Sequence, residues 1–222
     1  MRYLDLLTAL FATVLLVSNV ASTKLVVLGP FTFDGGTLLF PLAYIFGDVL
    51  TEVYDYRKSR RVIWIGFFAL LLATLTFQAV AHLPAPPDAE SQRFGEAFGL
   101  LLGLTPRIVL GSLLAYFLGE FANAYVLAKL KVRTEGRFFW LRALASTLVG
   151  QGLDTGVFLL VAFYGVFPKE VLLAVFLSNY AFKLGVEALM LPFTYAVVGF
   201  LKRAEGMDAY DRDTDFNPFR LT

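Results

Sequence analysis

Ionisable and amide side chains interrupt several long apolar stretches of this chain, where a charge is costly to place. The charged ones are Lys24, Asp48, Glu52, Glu120, Asp154, Lys183 and Glu187, and the amides include Asn19, Asn123, Gln151 and Asn179. A charge at the centre of a bilayer costs at least about 2.5–3.5 kcal/mol. Because five of these residues are acids and two are bases, mutual pairing leaves carboxyl groups over. A buried carboxyl of this kind takes up a proton, or binds a cation or a donor-rich ligand.

The spacing of these residues places several of them on shared helix faces, since side chains three or four residues apart are neighbours on a helix. Such steps separate Asp48 from Glu52, Glu120 from Asn123, Gln151 from Asp154, and Asn179 from Lys183 and Glu187. At about 1.5 Å per residue, Asp48, Asp154 and Lys183 each lie about 15–18 Å from the outer end of their apolar stretch. That depth is near the middle of a hydrocarbon core about 30 Å thick. We therefore predict a polar cluster at the midplane, where transporters usually hold their substrates.

The same residues also suit a structural role. Polar side chains commonly join membrane helices through hydrogen bonds worth about 0.6 kcal/mol on average. A single amide such as Asn123 fits that role, and Lys183 with Glu187 fits a structural ion pair along one helix. The carboxyls fit it less well, because the surplus acids have no base to pair with.

The composition excludes several classes of protein and of site. Of the 222 residues, 58% are hydrophobic and 17% are charged, and the net charge is +1. A soluble domain has about a quarter of its residues charged, so these values indicate a membrane protein rather than a basic nucleic-acid binder or a soluble enzyme. The absence of cysteine and the single histidine, His82, exclude thiolate chemistry and make a metal site or a Ser-His-Asp triad unexpected. We expect no catalytic residues, no cofactor, no metal and no nucleic-acid partner.

Six apolar stretches predict an all-α membrane protein built as a bundle of six transmembrane helices. They cover approximately residues 4–28, 38–53, 62–81, 106–130, 139–166 and 171–200. Most lysines and arginines of the connecting segments lie on the side that holds both termini, which the positive-inside rule assigns to the cytoplasm. Reading the N-terminus as a cleaved signal peptide would leave five spans and break this charge pattern. The sequence thus predicts a multi-pass protein of a bacterial inner or archaeal plasma membrane.

Outside the spans, the chain shows a long loop and a polar tail. The transmembrane domain covers residues 1–203, and residues 204–222 form a tail that we expect to be cytoplasmic and flexible. Within the loop, residues 90–104 are compatible with a short interfacial helix. Small-residue stripes at 111–119 and 152–156 allow close helix approach. Packing inside the bundle and formation of a homodimer both remain open for them.

Five sequence blocks and a tail motif resemble the queuosine precursor transporter family, also called the vitamin uptake transporter family. The blocks are SNVASTK (18–24), FPLAYIFGDVLTEVY (40–54), GEFANAY (119–125), RALASTLVGQGLDT (142–155) and NYAFKLGVE (179–187), and the tail motif is DFNPF (215–219). The second block is the most specific. The family usually has glycine after EVY, where this chain has Asp55.

This resemblance implies a six-helix membrane transporter that imports 7-deazaguanine bases, such as 7-cyano-7-deazaguanine, for tRNA modification. A guanine-like edge offers two N–H donors to a carboxylate and a carbonyl to a donor, and its ring can stack on aromatic side chains. We predict as substrate-binding residues Asn19, Lys24, Phe40, Tyr44, Asp48, Glu52, Glu120, Asn123, Gln151, Asp154, Asn179, Lys183 and Glu187. A substrate-binding subunit that depends on partner ATPases stays open as an alternative, because the chain has no phosphate-binding GxxxxGK[ST] motif of its own.

Overall fold

The computed structural model describes residues 1–28, 31–104 and 106–220, without the side chains of Leu25, Leu28, residues 31–34, Thr37, Phe40 and Pro41. Helices dominate these ranges. They are α1 (Leu4–Ala21), α2 (Phe40–Tyr54), α3 (Tyr56–Ala81), α4 (Ala89–Leu102), α5 (Pro106–Arg133), α6 (Phe139–Phe163) and α7 (Lys169–Glu205). Between α1 and α2 lie the strands β1 (Leu25–Leu28) and β2 (Phe31–Asp34), followed by a 3-10 turn (Gly35–Leu38). The predicted all-α membrane class is confirmed, and the short loop helix is present as α4.

Five helices of the described chain, α1, α3, α5, α6 and α7, are long and apolar enough to cross a membrane. The sequence predicts six, and the difference lies in α2. This helix has 15 residues, or about 22 Å, which is short of a core about 30 Å thick. Helix α7 has 37 residues with Pro192 inside it, so it extends well beyond one bilayer thickness.

The first predicted span is too long at its C-terminal end. Helix α1 ends at Ala21, and residues 25–28 form β1 instead of continuing the helix. β1 pairs antiparallel with β2, with Val26 opposite Phe33 and Val27 opposite Thr32. β-Branched residues favour strands over helices, a preference that an apolar-run count does not include.

The start of α1 and the end of α7 lie at the same end of the bundle, which we call the terminal end. The backbone N–H groups of Arg2 and Tyr3 donate to the Glu205 carboxylate at 2.9 and 2.7 Å. The Tyr54 hydroxyl donates to the same carboxylate at 2.8 Å. The start of α1, the end of α2 and the end of α7 therefore meet at one place.

Helices α2 and α3 are separated by one residue, Asp55, rather than by the loop that the sequence predicts. Its φ of 86° and ψ of 165° lie in a region that is almost exclusive to glycine and costs of order 1–3 kcal/mol in other residues. The Asp55 carboxylate offsets part of this cost by accepting a hydrogen bond from the Lys58 N–H at 2.9 Å, which caps α3. Residues 57–61 lie inside α3 as a result, and Arg60 is buried.

We expect two substitutions of Asp55 to change stability in opposite directions. Asp55→Gly relieves the backbone strain and loses only a few tenths of a kcal/mol of capping, so it should stabilise the protein by about 1 kcal/mol. Asp55→Ala keeps the strain and removes the cap, so it should destabilise by about 1 kcal/mol. Thermal unfolding in detergent would show this as a rise and a fall of about 2–4 °C. A lower unfolding temperature for Asp55→Gly would contradict the strain argument.

The sequence predicts a flexible tail, but in the structure the tail packs on α3. Both carboxylate oxygens of Asp211 accept from the Tyr56 N–H at 3.0–3.1 Å, and the Arg60 guanidinium donates to the carbonyl of Asn217 at 2.6 Å. Asp211 is buried in this contact, and burial raises its pKa above the ordinary value. These partners are about 155 residues apart in sequence, so no local pattern predicts them.

Candidate functional site

Glycines at the contact between α5 and α6 bring the polar residues of these helices together. A Cβ atom on Gly119 would lie 2.8 Å from the Cβ of Asp154 and 3.0 Å from the carbonyl oxygen of Gly150. A Cβ on Gly150 would lie 2.8 Å from the Cβ of Asn123. Only glycine permits this approach, so Gly119, which belongs to the predicted small-residue stripe, serves packing inside the bundle.

Nine side chains from four helices form what we call the central polar cluster. They are Tyr44 and Asp48 of α2, Glu120 and Asn123 of α5, Thr147, Gln151 and Asp154 of α6, and Lys183 and Glu187 of α7. Eight of them are substrate-binding residues predicted from the sequence. The sequence patterns do not predict the ninth residue, Thr147, although it lies one helical turn before Gln151 on the same face.

One side of the cluster, formed by α6 and α7, is partly accessible. The Lys183 ammonium pairs with the Asp154 carboxylate at 2.9 Å and lies 3.4 Å from the Thr155 hydroxyl. The side chains of Lys183 and Asp154 are 19% and 30% exposed. The alternative pairing of Lys183 with Glu187 along one helix is thus replaced by a pairing across two helices.

The Glu120 carboxyl and the Tyr44 ring connect this ion pair to α2. Glu120 interacts electrostatically with Asp154, Glu187 and Lys183. Tyr44 is buried, and its hydroxyl hydrogen-bonds the Gln151 side chain. A ligand that reaches the ion pair would therefore meet a carboxyl, an amide and an aromatic ring around it.

The other side of the cluster is buried. Asp48, Asn123 and Glu187 are each at most 5% exposed. The Asn123 amide nitrogen donates to Asp48 Oδ1 at 3.3 Å, and the carboxyl groups of Asp48 and Glu187 lie against each other. Asp48 Oδ2, Asn123 Oδ1, Thr147 Oγ1 and Gln151 Oε1 have no hydrogen-bond partner among the described residues.

Glu52 lies apart from the central polar cluster, in an ion network at the terminal end. Its carboxylate accepts from Arg142 at 2.5 and 3.2 Å and from Lys202 at 2.7 Å, and it lies 3.6 Å from the Lys131 ammonium. Asp208 of the tail pairs with both lysines. Burial would raise the pKa of Asp208, but the hydrogen bonds from Lys131 and Lys202 hold it below the ordinary value. Glu52 therefore lies in this ion network and not in the central polar cluster.

Four further residues predicted to bind substrate do not join the cluster in the structure. Asn19 lines a separate cavity of about 100 Å³ between α1, α3 and the end of α4. Lys24 is exposed after α1, and Asn179 is exposed on α7, where its amide donates to the Val175 carbonyl at 3.1 Å. The side chain of Phe40 lies outside the described residues.

The charges of the central polar cluster determine what it can bind. Four carboxyl groups face one ammonium group, so the cluster favours a cation or a ligand rich in N–H donors. The ion pair between Asp154 and Lys183 presents hydrogen-bond acceptors and donors side by side. Such an edge complements a heterocycle whose own donors and acceptor are adjacent.

Comparison with known proteins adds independent information. Residues 34–197 match the family model described as "Putative vitamin uptake transporter". The "Probable queuosine precursor transporter" of Bacillus subtilis (strain 168) is 36% identical over 188 residues, which are 84% of this chain and 80% of that protein. The "Queuosine precursor transporter" of Escherichia coli (strain K12) is 26% identical over 168 residues, 73% of this chain and 71% of that protein. No solved structure matches the chain.

Proposed function

The chain belongs to the vitamin uptake transporter family, and we propose that it is a secondary transporter importing 7-deazaguanine bases, such as 7-cyano-7-deazaguanine, for tRNA modification. Relatives named queuosine precursor transporters support the choice of cargo. The observation that carries the proposal is the central polar cluster, in which carboxyl, amide and aromatic groups of four helices converge.

The edge of a 7-deazaguanine base fits the ion pair between Asp154 and Lys183. That edge carries a ring N–H and an exocyclic amino group beside a carbonyl oxygen. The Asp154 carboxylate accepts from the two donors, and the Lys183 ammonium donates to the carbonyl. Both side chains are partly exposed, so a base can reach them without unfolding the bundle. Tyr44 supplies the ring against which the flat base packs.

Reconstitution of the purified chain into liposomes tests this proposal. We expect saturable uptake of 7-cyano-7-deazaguanine without any partner protein, with weaker competition by guanine and none by a panel of vitamins. Empty liposomes control for leakage. Binding without uptake, with transport restored only by ATPases, would favour the substrate-binding subunit. An absence of binding to any 7-deazaguanine base would contradict the proposal.

For the topology we infer six passes, with α2 as the short one and both termini in the cytoplasm. Five passes would leave the termini on opposite sides, whereas Arg2 and Glu205 are hydrogen-bonded. The same end holds the basic residues that contact the tail and Glu52, namely Arg60 of α3, Lys131 of α5 and Arg142 of α6. This placement agrees with the positive-inside rule. Helix α4 has only 14 residues and lies at the opposite end.

Single cysteines should report this topology cleanly, because the natural chain has none. Glu96→Cys on α4 and Arg137→Cys between α5 and α6 both replace exposed residues. We expect a membrane-impermeant maleimide to label Glu96→Cys in intact cells and Arg137→Cys only after permeabilisation. Labelling of Arg137→Cys in intact cells would contradict the cytoplasmic assignment of the terminal end.

A further inference from the structure

The buried side of the central polar cluster holds more oxygen acceptors than the protein satisfies. Asp48 Oδ2, Asn123 Oδ1 and Thr147 Oγ1 have no hydrogen-bond partner in the part of the chain that the structure describes. Their side chains are 1%, 5% and 1% exposed. Each unsatisfied buried polar atom costs about 1–3 kcal/mol, so three of them in one place indicate a missing ligand.

These atoms converge around a pair of carboxyl groups. The Asp48 carboxyl lies against that of Glu187, and Asn123 contacts Asp48 at 3.3 Å. Thr147 lies beside Glu187. The four residues come from α2, α5, α6 and α7, so oxygens from four helices lie next to the carboxyl pair.

We propose that Asp48, Asn123, Thr147 and Glu187 form a sodium-ion site. Carboxylate, amide and hydroxyl oxygens are the ligands that hard cations take. A proton shared between the two carboxyls leaves Asn123 Oδ1 without a partner and the lone pairs of the Thr147 hydroxyl, which faces Glu187, unused. A sodium ion engages oxygens of all four residues. The nearest ammonium, that of Lys183, is paired with Asp154.

A divalent or transition-metal ion fits these residues less well. No group of three or more His, Cys, Asp or Glu side chains within the described ranges is arranged to hold one metal ion. With one of its two carboxyls ionised and the other protonated, the set carries a single negative charge, which a monovalent ion balances. Among the charged groups of the same helices, Glu120 faces the set, and Asp154 and Lys183 face Glu120.

An ion at this position would be coupled to the base site, a step that rests on the proposed function. Tyr44 lies one helical turn from Asp48, and Gln151 lies one turn from Thr147. Occupancy by sodium would join α7 to α2, α5 and α6 and fix Tyr44, which packs on the base, together with its hydrogen-bond partner Gln151. Coupling ions of secondary transporters commonly bind near the midplane, beside the substrate.

Binding of radiolabelled sodium to the purified full-length chain, without any base, tests the site directly. We expect saturable binding, and a higher unfolding temperature in sodium chloride than in choline chloride at the same ionic strength. Thr147→Val, which removes only the hydroxyl oxygen, and Asp48→Asn should each weaken sodium binding at least tenfold. Thr51→Val, at a buried threonine that hydrogen-bonds Ser59 instead, should leave it unchanged.

The outcomes separate this proposal from the proposed function. Asp154→Asn should bind sodium normally while losing the base. Equal stability in the two salts, or sodium binding that survives both Thr147→Val and Asp48→Asn, would overturn the sodium site. Stabilisation that follows pH and not sodium would also overturn it and assign the carboxyl pair to a proton. Base binding can be measured separately in each case.

Discussion

Replacing Asp154 with asparagine is expected to weaken binding of 7-cyano-7-deazaguanine about 100-fold or more and to abolish measurable uptake. Hydrogen bonds to a charged group contribute about 1.5–3 kcal/mol each. Losing two of them costs about 3 kcal/mol or more, which corresponds to about 100-fold in affinity. The asparagine amide also turns one acceptor into a donor that opposes the N–H groups of the base. Equilibrium binding and initial uptake rates in proteoliposomes measure both effects.

A matched control and a stability measurement make this prediction specific. Asp213→Asn makes the same change at an exposed position of the tail and should bind and transport normally. Because the Glu120 carboxyl also interacts with Lys183, the ammonium keeps a counter-charge when Asp154 loses its own. Asp154→Asn should therefore unfold within a few degrees of the natural protein. Natural affinity in Asp154→Asn would show that this carboxyl does not contact the base.

Replacing Glu52 with glutamine should instead destabilise the whole protein. Its carboxylate pairs with Arg142, Lys202 and Lys131 and is 1% exposed. Removing one partner of a buried ion pair leaves an uncompensated charge and costs about 3–5 kcal/mol. For a chain of this size, that loss lowers the unfolding temperature by about 6–20 °C. Thermal unfolding in detergent, together with the yield of folded protein, measures it.

The comparison of Glu52 with Asp154 tells a structural carboxyl from a ligand-binding one. Glu96→Gln on the exposed face of α4 controls for the loss of one negative charge and should leave the unfolding temperature unchanged. The folded fraction of the Glu52→Gln protein should bind the base with natural affinity, because the ion network lies apart from the central polar cluster. An unchanged unfolding temperature in Glu52→Gln would refute the structural role.

The sequence predicts the polar cluster well because depth and helix face are local properties. Apolar run length locates each helix, and steps of three or four residues show which side chains share a face. On that basis Asp48, Asp154 and Lys183 are expected near one level, and the structure brings them together around Glu120. The sequence does not single out Thr147, because a threonine lowers the stability of a membrane helix only slightly and carries no charge.

The same local rules cannot separate Asp48 from Glu52. The two lie four residues apart on one helix, yet the first belongs to the central polar cluster and the second to the ion network at the terminal end. What differs is the neighbour at each level, and that neighbour is set by how α2 packs against α5, α6 and α7. Arg142 and Lys202 are 90 and 150 residues away from Glu52 in sequence.

The amino-acid sequence by itself determined the membrane class, the approximate helices, the family blocks and most members of the polar cluster. These depend on hydrophobicity, on helical periodicity and on residue type, all of which act within about one helix length. Only the tertiary structure decided the pairing of Lys183 with Asp154, the ion partners of Glu52, the strands after α1 and the position of the tail. These depend on the relative rotation and close approach of helices that are distant in sequence. Glycines such as Gly119 permit that approach, but a glycine in the sequence does not show which helix it contacts.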